Sequence, residues 1–274
     1  MIEIVSPSNP KFKMAMKLSD RRGRQQQKRF LIDGLRETRY AMQSGIEVET
    51  LFISKQIAEQ LPSEQQAAVG ELTKSMAGSS YILASDLFQR LSYGQRHSHV
   101  IAVAREPNRS LRQLQLSSPA FVVIVEGVEK PGNLGAIART VDAVGADALI
   151  LANCLADAQN PNAIRASMGT ILSQKVVACD TERLIPWLRE KAIQVCAAWV
   201  ENSESYHNVD FRESVAIVLG SEAQGLTSAW NEDGMQKISL PMHGTADSLN
   251  VSTTAAVLLY EVWRQREVGR QRQD

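Results

Sequence analysis

Three apolar runs in the second half of the chain constrain its architecture more than any other feature. They are FVVIV at 121–125, DALILA at 147–152 and SVAIVLG at 214–220. Each is nearly continuous rather than alternating, so neither face of such a strand can meet water. Strands buried on both faces belong to parallel sheets covered by helices on each side. The segments between them supply the helices, at 134–145, near 162–172 and at 182–191, with VVA and IQVCAAW as further strands. From Ser248 to about Arg266, Leu249, Ala256, Tyr260 and Trp263 recur at helical spacing and predict a long final helix. The expectation for residues 120–274 is an α/β domain with a parallel sheet.

The first third alternates on a smaller scale. A helical pattern follows Pro10, carries Phe12, Met16 and Leu18, and ends near Gly23. FLIDG is a short strand, LRETRYAMQSG a helix closed by Gly45, and VETLFIS a strand. Residues 55–76 read as mainly helical, YIL and VIAVA as strands. This predicts a small α/β domain over 1–105. The polar stretch REPNRSLRQLQLSSPA then marks a linker over 106–119.

Composition excludes little by itself. Hydrophobic residues make up 44% and charged residues 22%, and 30 Lys plus Arg balance 30 Asp plus Glu. The charge is unevenly spread, however. Residues 1–40 hold ten Lys or Arg against four acids, and Arg21, Arg22, Arg24, Lys28 and Arg29 form the densest run. Such a run is either a solvated helix face or an electrostatic footprint for nucleic acid. Cys154, Cys179 and Cys196 are far apart with no C-x-x-C, which fits reduced thiols in the cytoplasm and argues against a disulfide framework or zinc ribbon. No apolar run approaches the roughly 18 residues of a membrane span, and the N-terminus has no signal-peptide core. A cytoplasmic protein with no membrane partner is expected.

Several chemistries are excluded by spacing. KPGNLGAIARTVDAVG, at 130–145, follows a strand as a dinucleotide loop does, but its glycines are spaced G-x-x-G, not G-x-G-x-x-G. There is no phosphate-binding G-x-x-x-x-G-K-S/T. His97 and His99 form an H-x-H pair that no acid or cysteine cluster completes, so no metal site is expected. Gly225 comes too late after Ser221 for a hydrolase elbow. What remains is three segments of glycine and small polar residues, each directly after an apolar strand: PGNLGAIART at 131–140, LGSEAQGL at 219–226 and LPMHGTADSLNVSTTAA at 240–256. Strand carboxyl ends are where α/β sheets bind ligands, so the three can converge on one site.

These segments, in this order, resemble the three signature motifs of the SpoU/TrmH-type RNA 2′-O-ribose methyltransferases of the SPOUT superfamily. N-L-G-A-I-A-R, G-S-E-A-Q-G-L and S-L-N-V-S carry the match, which covers residues 121–266. NPKFKMAMKL and KRFLIDGLRE more loosely resemble the small RNA substrate-binding domain of such enzymes. The resemblance implies a trefoil-knotted C-terminal domain, S-adenosylmethionine bound in the knot, and a homodimer formed through that domain.

It also implies roles. Arg139 stands at the catalytic arginine position. Because guanidinium hardly ever deprotonates, we read it as a positioning and electrostatic group whose fork suits phosphate and a developing alkoxide. Asn133 either caps a helix beginning at Leu134 or fixes the arginine loop. Glu222 would orient Arg139 or reach across the dimer, and Ser248 and Asn250 would shape the site. Backbone groups at Gly220, Leu240 and Leu249 would hold the cofactor, with Gly220 permitting close approach and Gly225 and Gly244 serving turns. Arg165 either reaches RNA phosphate, alongside Arg21, Arg22, Arg24, Lys28 and Arg29, or lies on a helix surface. Lys130 and RHSH at 96–99 depart from the common family pattern. Structured RNA is the expected partner, ribosomal RNA ahead of transfer RNA. The alternatives are an RNA-binding relative without catalysis and a small-molecule α/β enzyme.

Overall fold

The computed structural model describes residues 1–55, 63–94, 99–173 and 175–271; Arg96, His97 and Ser98 lie outside them, as does part of the helical stretch read over 55–76. The chain divides into two compact units. One comprises Met1–Asn108 with Gln159–Ser173, the other Arg109–Ala158 with Gln174–Asp274. The segment 159–173, read from sequence as part of the C-terminal domain, therefore packs within the first unit.

The first unit is built on five strands, β1 (Ile2–Ile4), β2 (Arg29–Asp33), β3 (Val48–Ser54), β4 (Ser80–Leu83) and β5 (Val100–Arg105), in the order β1-β4-β3-β5-β2. The first three run parallel; β5 is antiparallel to both β3 and β2. Its helices are α1 (Pro10–Met16), α2 (Arg21–Gln27), α3 (Leu35–Gln43), α4 (Ser63–Ser75) and α5 (Ser85–Leu91). Phe12, Leu18, Phe52, Leu87, Ile101 and Val103 form one buried cluster.

The helix expected to end near Gly23 is instead two helices. After a 3-10 turn at Lys17–Ser19, extended Asp20 restarts the chain and caps α2 by accepting Gly23 N–H at 2.6 Å. Gly23 lies inside this second helix, packed so closely on the Lys17 carbonyl that a side chain would collide with backbone. Arg24 is buried, and its Nη1 donates to the carbonyls of Leu18 and Ser19, both at 3.1 Å. A guanidinium turned inward onto two carbonyls holds the turn together; it is not presented to phosphate, contrary to its place in the basic run.

The second unit carries β6 (Phe121–Glu126), β7 (Ala148–Ala152), β8 (Val176–Cys179), β9 (Gln194–Ala198), β10 (Glu204–Ser205), β11 (Val215–Leu219) and β12 (Met235–Ser239). All pairings in this seven-stranded sheet are parallel, in the order β10-β12-β9-β11-β6-β7-β8. Strands β6, β7 and β11 are buried at every position, as continuous apolar runs require. Three α-helices belong to this unit among the described residues. In α6 (Pro131–Ala143) Leu134, Ile137, Ala138 and Val141 are buried, an i, i+3, i+4, i+7 face. In α8 (Thr181–Glu190) Leu184, Ile185 and Leu188 join a core cluster with Ile124, Ile150, Val218 and Trp230. The final helix, α9 (Val251–Gln271), packs on α6. Between α6 and α8 in the chain, α7 (Pro161–Ala166) belongs to the first unit.

One expectation needs amending. The polar stretch read as a linker over 106–119 is not all connector: Leu111, Leu114 and Leu116 pack against the core of the second unit. The buried face of α9 is Val251, Ala255, Leu258, Leu259 and Val262, whereas Leu249, Tyr260 and Trp263 are exposed. Both series have helical spacing, and the long final helix expected from about Ser248 to Arg266 is present as α9.

Replacing Arg24 with Ala leaves two carbonyls without their charged donor and is expected to destabilise the first unit by about 2–4 kcal/mol. Arg22→Ala, at an exposed site two residues away, should stay within about 0.5 kcal/mol. Equal urea midpoints for the two variants would contradict the buried role.

Candidate active site

The site is assembled at the carboxyl ends of the parallel strands of the second unit, from the outside of one hairpin inward. Past the end of β11, Ser221 and Gly225 exchange both backbone hydrogen bonds, at 3.1 and 3.0 Å. Gly225 takes φ +68°, a left-handed conformation that suits glycine. A Cβ on Gly220 would lie 2.5 Å from the backbone nitrogen of Leu226. The close approach that Gly220 permits is therefore of the chain's own backbone. Glu222, Ala223 and Gln224 form the tip, with Gln224 N–H donating to Ser221 Oγ at 3.1 Å.

From that tip the Glu222 carboxyl accepts a short hydrogen bond from Asn133 Nδ2. Asn133 Oδ1 in turn accepts from Asn250 Nδ2 at 3.3 Å. Asn250 is itself oriented by α9: its Oδ1 accepts from Ser252 N–H at 2.9 Å and Ser252 Oγ–H at 2.6 Å, and its carbonyl accepts from Thr253 and Thr254 N–H, both at 2.9 Å. Asn133 thus joins one residue from each of the three strand-end segments. The helix-capping reading of Asn133 is corrected here. Helix α6 starts at Pro131 with Lys130 as its cap residue and no side-chain cap bond. Proline needs no hydrogen-bond acceptor at that position, and the Asn133 side chain is left for its two distant partners.

Arg139 is exposed on α6 and makes no hydrogen bond or ion pair among the described residues. Ser248 and Leu249 are exposed in the segment after β12. Residues 240–249 form no backbone–backbone hydrogen bond among the described residues, and Asn250, which follows them, is joined to the hairpin through Asn133. Gly244 has open space around it.

The remaining predicted residues lie in the first unit. Arg21, Arg22 and Arg165 are exposed. Lys28, in a left-handed C-cap conformation, approaches Glu106 at 3.4 Å. Arg29 is chelated by both oxygens of Glu49, which also accepts from Arg105 at 2.8 Å. The Arg29 hydrogen bond, with Arg105 behind it, holds the Glu49 carboxyl below the usual range. Arg29, like Arg24, is committed to an internal partner.

One residue was missed by sequence reasoning. Glu126, at the carboxyl end of β6, is buried and fully used. Its Oε1 accepts from Thr181 Oγ–H at 2.7 Å and Thr227 Oγ–H at 3.1 Å, and its Oε2 from Thr227 N–H at 2.8 Å. Thr181 Oγ also accepts from Asn153 Nδ2 at 3.0 Å. The segments after β8 and β11 are pinned directly to this carboxyl at the end of β6, and the one after β7 is joined through Thr181. An acid ending an otherwise apolar strand is the signal that could have found it. The cysteines offer no nucleophile: burial pushes Cys154 and Cys179 up to about 11 and Cys196 to about 12. No cluster able to hold a metal ion occurs among the described residues.

Residues 120–260 match the model of the SpoU rRNA Methylase family. The chain belongs to that family. Residues 9–102 match the MRM3-like substrate binding domain. The chain is 28% identical to the 23S rRNA (guanosine(2553)-2′-O)-methyltransferase of Bacillus subtilis (strain 168), over 96% of this chain and 99% of that one. Its fold is similar to a crystal structure described as an RNA 2′-O ribose methyltransferase, with a TM-score of 0.82 and 35% identity over 97% and 99% of the two chains. It is also similar to the SpoU methyltransferase AviRb of Streptomyces viridochromogenes in complex with AdoMet, at TM-score 0.84 and 28% identity over 94% and 98%. The family's mixed α/β architecture with a parallel sheet is the one described above.

Asn133→Asp would keep the shape of the bridge but set a second carboxyl against Glu222. Two carboxyls in contact raise the pKa of the pair in the folded state. Stability relative to wild type should then be close to normal near pH 4 and fall as pH rises towards 8. A thermal melting deficit that does not change with pH would show that Asn133 and Glu222 do not touch.

Proposed function

We propose that this protein transfers a methyl group from S-adenosylmethionine to a ribose 2′-hydroxyl of RNA, and that ribosomal RNA is the substrate. The observation that carries this reading is the Asn133 bridge, which joins Glu222, Asn133 and Asn250 from the three motif segments beside an unpaired Arg139. The full-length similarity to a 23S rRNA enzyme supports ribosomal over transfer RNA.

The fit to the cofactor rests on backbone chemistry. The amides and carbonyls of 240–249, with Leu240 and Leu249 at the ends of the segment, lead to Asn250, which is joined to the hairpin through Asn133. Main-chain groups of this kind can read an adenine edge without special side chains. When bound, the sulfonium supplies an electrophilic methyl for in-line displacement. The protein's contribution is then geometric and electrostatic. Arg139 grips an RNA phosphate and stabilises the 2′-oxygen as its proton passes to solvent and the methyl moves to it from sulfur, which leaves as a neutral thioether. Asn133 and Glu222 hold the start of the arginine's helix against the hairpin, and Asn250 fixes the turn into α9, with Ser248 at its edge. We further propose that this unit carries the family's trefoil knot, and that the protein works in the cytoplasm, where its substrate is made. Among the described residues no helix is long and apolar enough to cross a membrane.

A homodimer through the knotted unit completes the proposal. Tyr260 and Trp263 stack edge to face with centroids 6.0 Å apart, both exposed on the face of α9 that does not enter the core. A paired aromatic patch on a long helix suits a second copy of the same surface.

Arg139→Ala should lower methyl transfer to 23S rRNA by two orders of magnitude or more, an effect of the size expected for a transition-state charge stabiliser, while cofactor affinity by calorimetry changes little. Undiminished transfer would exclude the role. For the dimer, Trp263→Lys should convert a sedimenting dimer at micromolar concentration into monomer and reduce activity with it. A wild-type monomer that is fully active would exclude a shared site.

A further inference from the structure

The basic run at 21–29 is the obvious place for RNA, yet the structure spends much of it internally. Arg24 is buried on backbone carbonyls, Arg29 is chelated by Glu49, and Lys28 faces Glu106. A different part of the first unit has the opposite character. At the carboxyl end of β2, Asp33 Oδ2 accepts the backbone N–H of Tyr93 at 2.7 Å. This pins the turn after α5 and leaves the Tyr93 side chain 41% exposed. The next residue, Gly94, takes φ +74°, and a Cβ there would lie 2.9 Å from Nη1 of Arg165. The Arg165 guanidinium therefore rests against the Tyr93–Gly94 turn. Three residues further on, Met168 Sδ lies 3.8 Å from Nη1 of Arg36. Arg39 follows Arg36 by three positions on α3, the spacing of neighbours on a helix surface.

One tyrosine and three arginines thus lie along two contacts of this unit, Arg165 on the Tyr93–Gly94 turn and Arg36 on Met168, three residues after Arg165. Arg36, Arg39 and Arg165 are all exposed, and none makes an ion pair among the described residues. Two acids close to these residues in sequence have other tasks: Asp33 holds the Tyr93 amide and Glu37 is buried. Phosphate alone would call for cations without a ring. A ring among forked cations is the combination that holds an unpaired nucleotide, stacking its base and gripping the phosphates on either side.

We propose that Tyr93, Arg36, Arg39 and Arg165 form the RNA-reading face of the N-terminal unit and hold an unstacked nucleotide of the substrate, in place of the run at 21–29. The proposal rests on the RNA methyltransferase reading above. It differs from that reading in assigning a surface and a single-stranded element to the substrate.

The test uses the full chain and two fluorescein-labelled RNAs of equal phosphate count, a hairpin with an unpaired loop and a blunt duplex. Tyr93→Ala should weaken hairpin binding about tenfold or more, the size of one lost base–aromatic stack, and change duplex binding less than twofold. Tyr93→Phe should bind the hairpin as wild type does. Arg36→Ala and Arg165→Ala should weaken both RNAs and reduce the salt slope by about one each. Hairpin binding by Tyr93→Ala equal to wild type, or equal losses on hairpin and duplex, would overturn the proposal. A parallel assay of methyl transfer from labelled S-adenosylmethionine to deproteinised 23S rRNA separates the two levels. Transfer by wild type, with Tyr93→Ala binding unimpaired, removes the patch and leaves the function standing. No RNA binding and no transfer by wild type removes both.

Discussion

The second unit depends on a single buried carboxyl group. A parallel sheet delivers its strand ends to one side, but the loops that leave them are free to diverge. Glu126 prevents that from the floor of the site. It takes three hydrogen bonds, from the loop after β11 and from the start of α8, and through Thr181 it reaches Asn153 after β7. An acid buried without partners would cost several kcal/mol, so it is tolerable only when every partner is in place. The loops therefore have one arrangement that satisfies the acid.

Above that floor the Asn133 bridge works with much smaller groups. Its amide offers a donor to Glu222 and an acceptor to Asn250, and the isosteric aspartate, which when ionised only accepts, could not do both. Starting α6 with Pro131 matters as much. A proline at the first position removes an unpaired amide, so the asparagine two residues later is not needed as a cap. Local helix chemistry and long-range site assembly are compatible because different residues perform them. Arg139 then emerges from a helix whose buried face and whose first turn are both held.

Much of this was legible in the sequence, for identifiable reasons. β6, β7 and β11 were visible because full burial leaves almost only apolar residues, and β3 because Val48, Thr50 and Phe52 alternate with their neighbours. β12 was not, since MQKIS buries only Ile238 completely, and IEI at 2–4 is too short to show alternation. The three motif segments were recognisable as strand-end loops. Their wiring was not, because Asn133 meets partners 89 and 117 positions away. The basic run misled for a related reason. Charge density along a chain says nothing about which guanidinium turns inward, and only Glu49 and the carbonyls at 18 and 19 decide it. Tyr260 and Trp263 gave the helix correctly but not its buried face, because a helix has several stripes of correct spacing.

The excursion of residues 159–173 into the first unit has a consequence for the order of events on the ribosome. A contiguous N-terminal domain can finish folding once its last residue leaves the exit tunnel. This one cannot, because α7 and the turn at Gly169, which packs against Glu37, are made only after β6, α6 and β7. The first unit must wait, with the surface that α7 will cover still open, while the opening strands of the second are already being synthesised. The chain's two halves are therefore coupled in time as well as in sequence, and any scheme that cuts the protein at its apparent linker parts residues 159–173 from the unit they pack in.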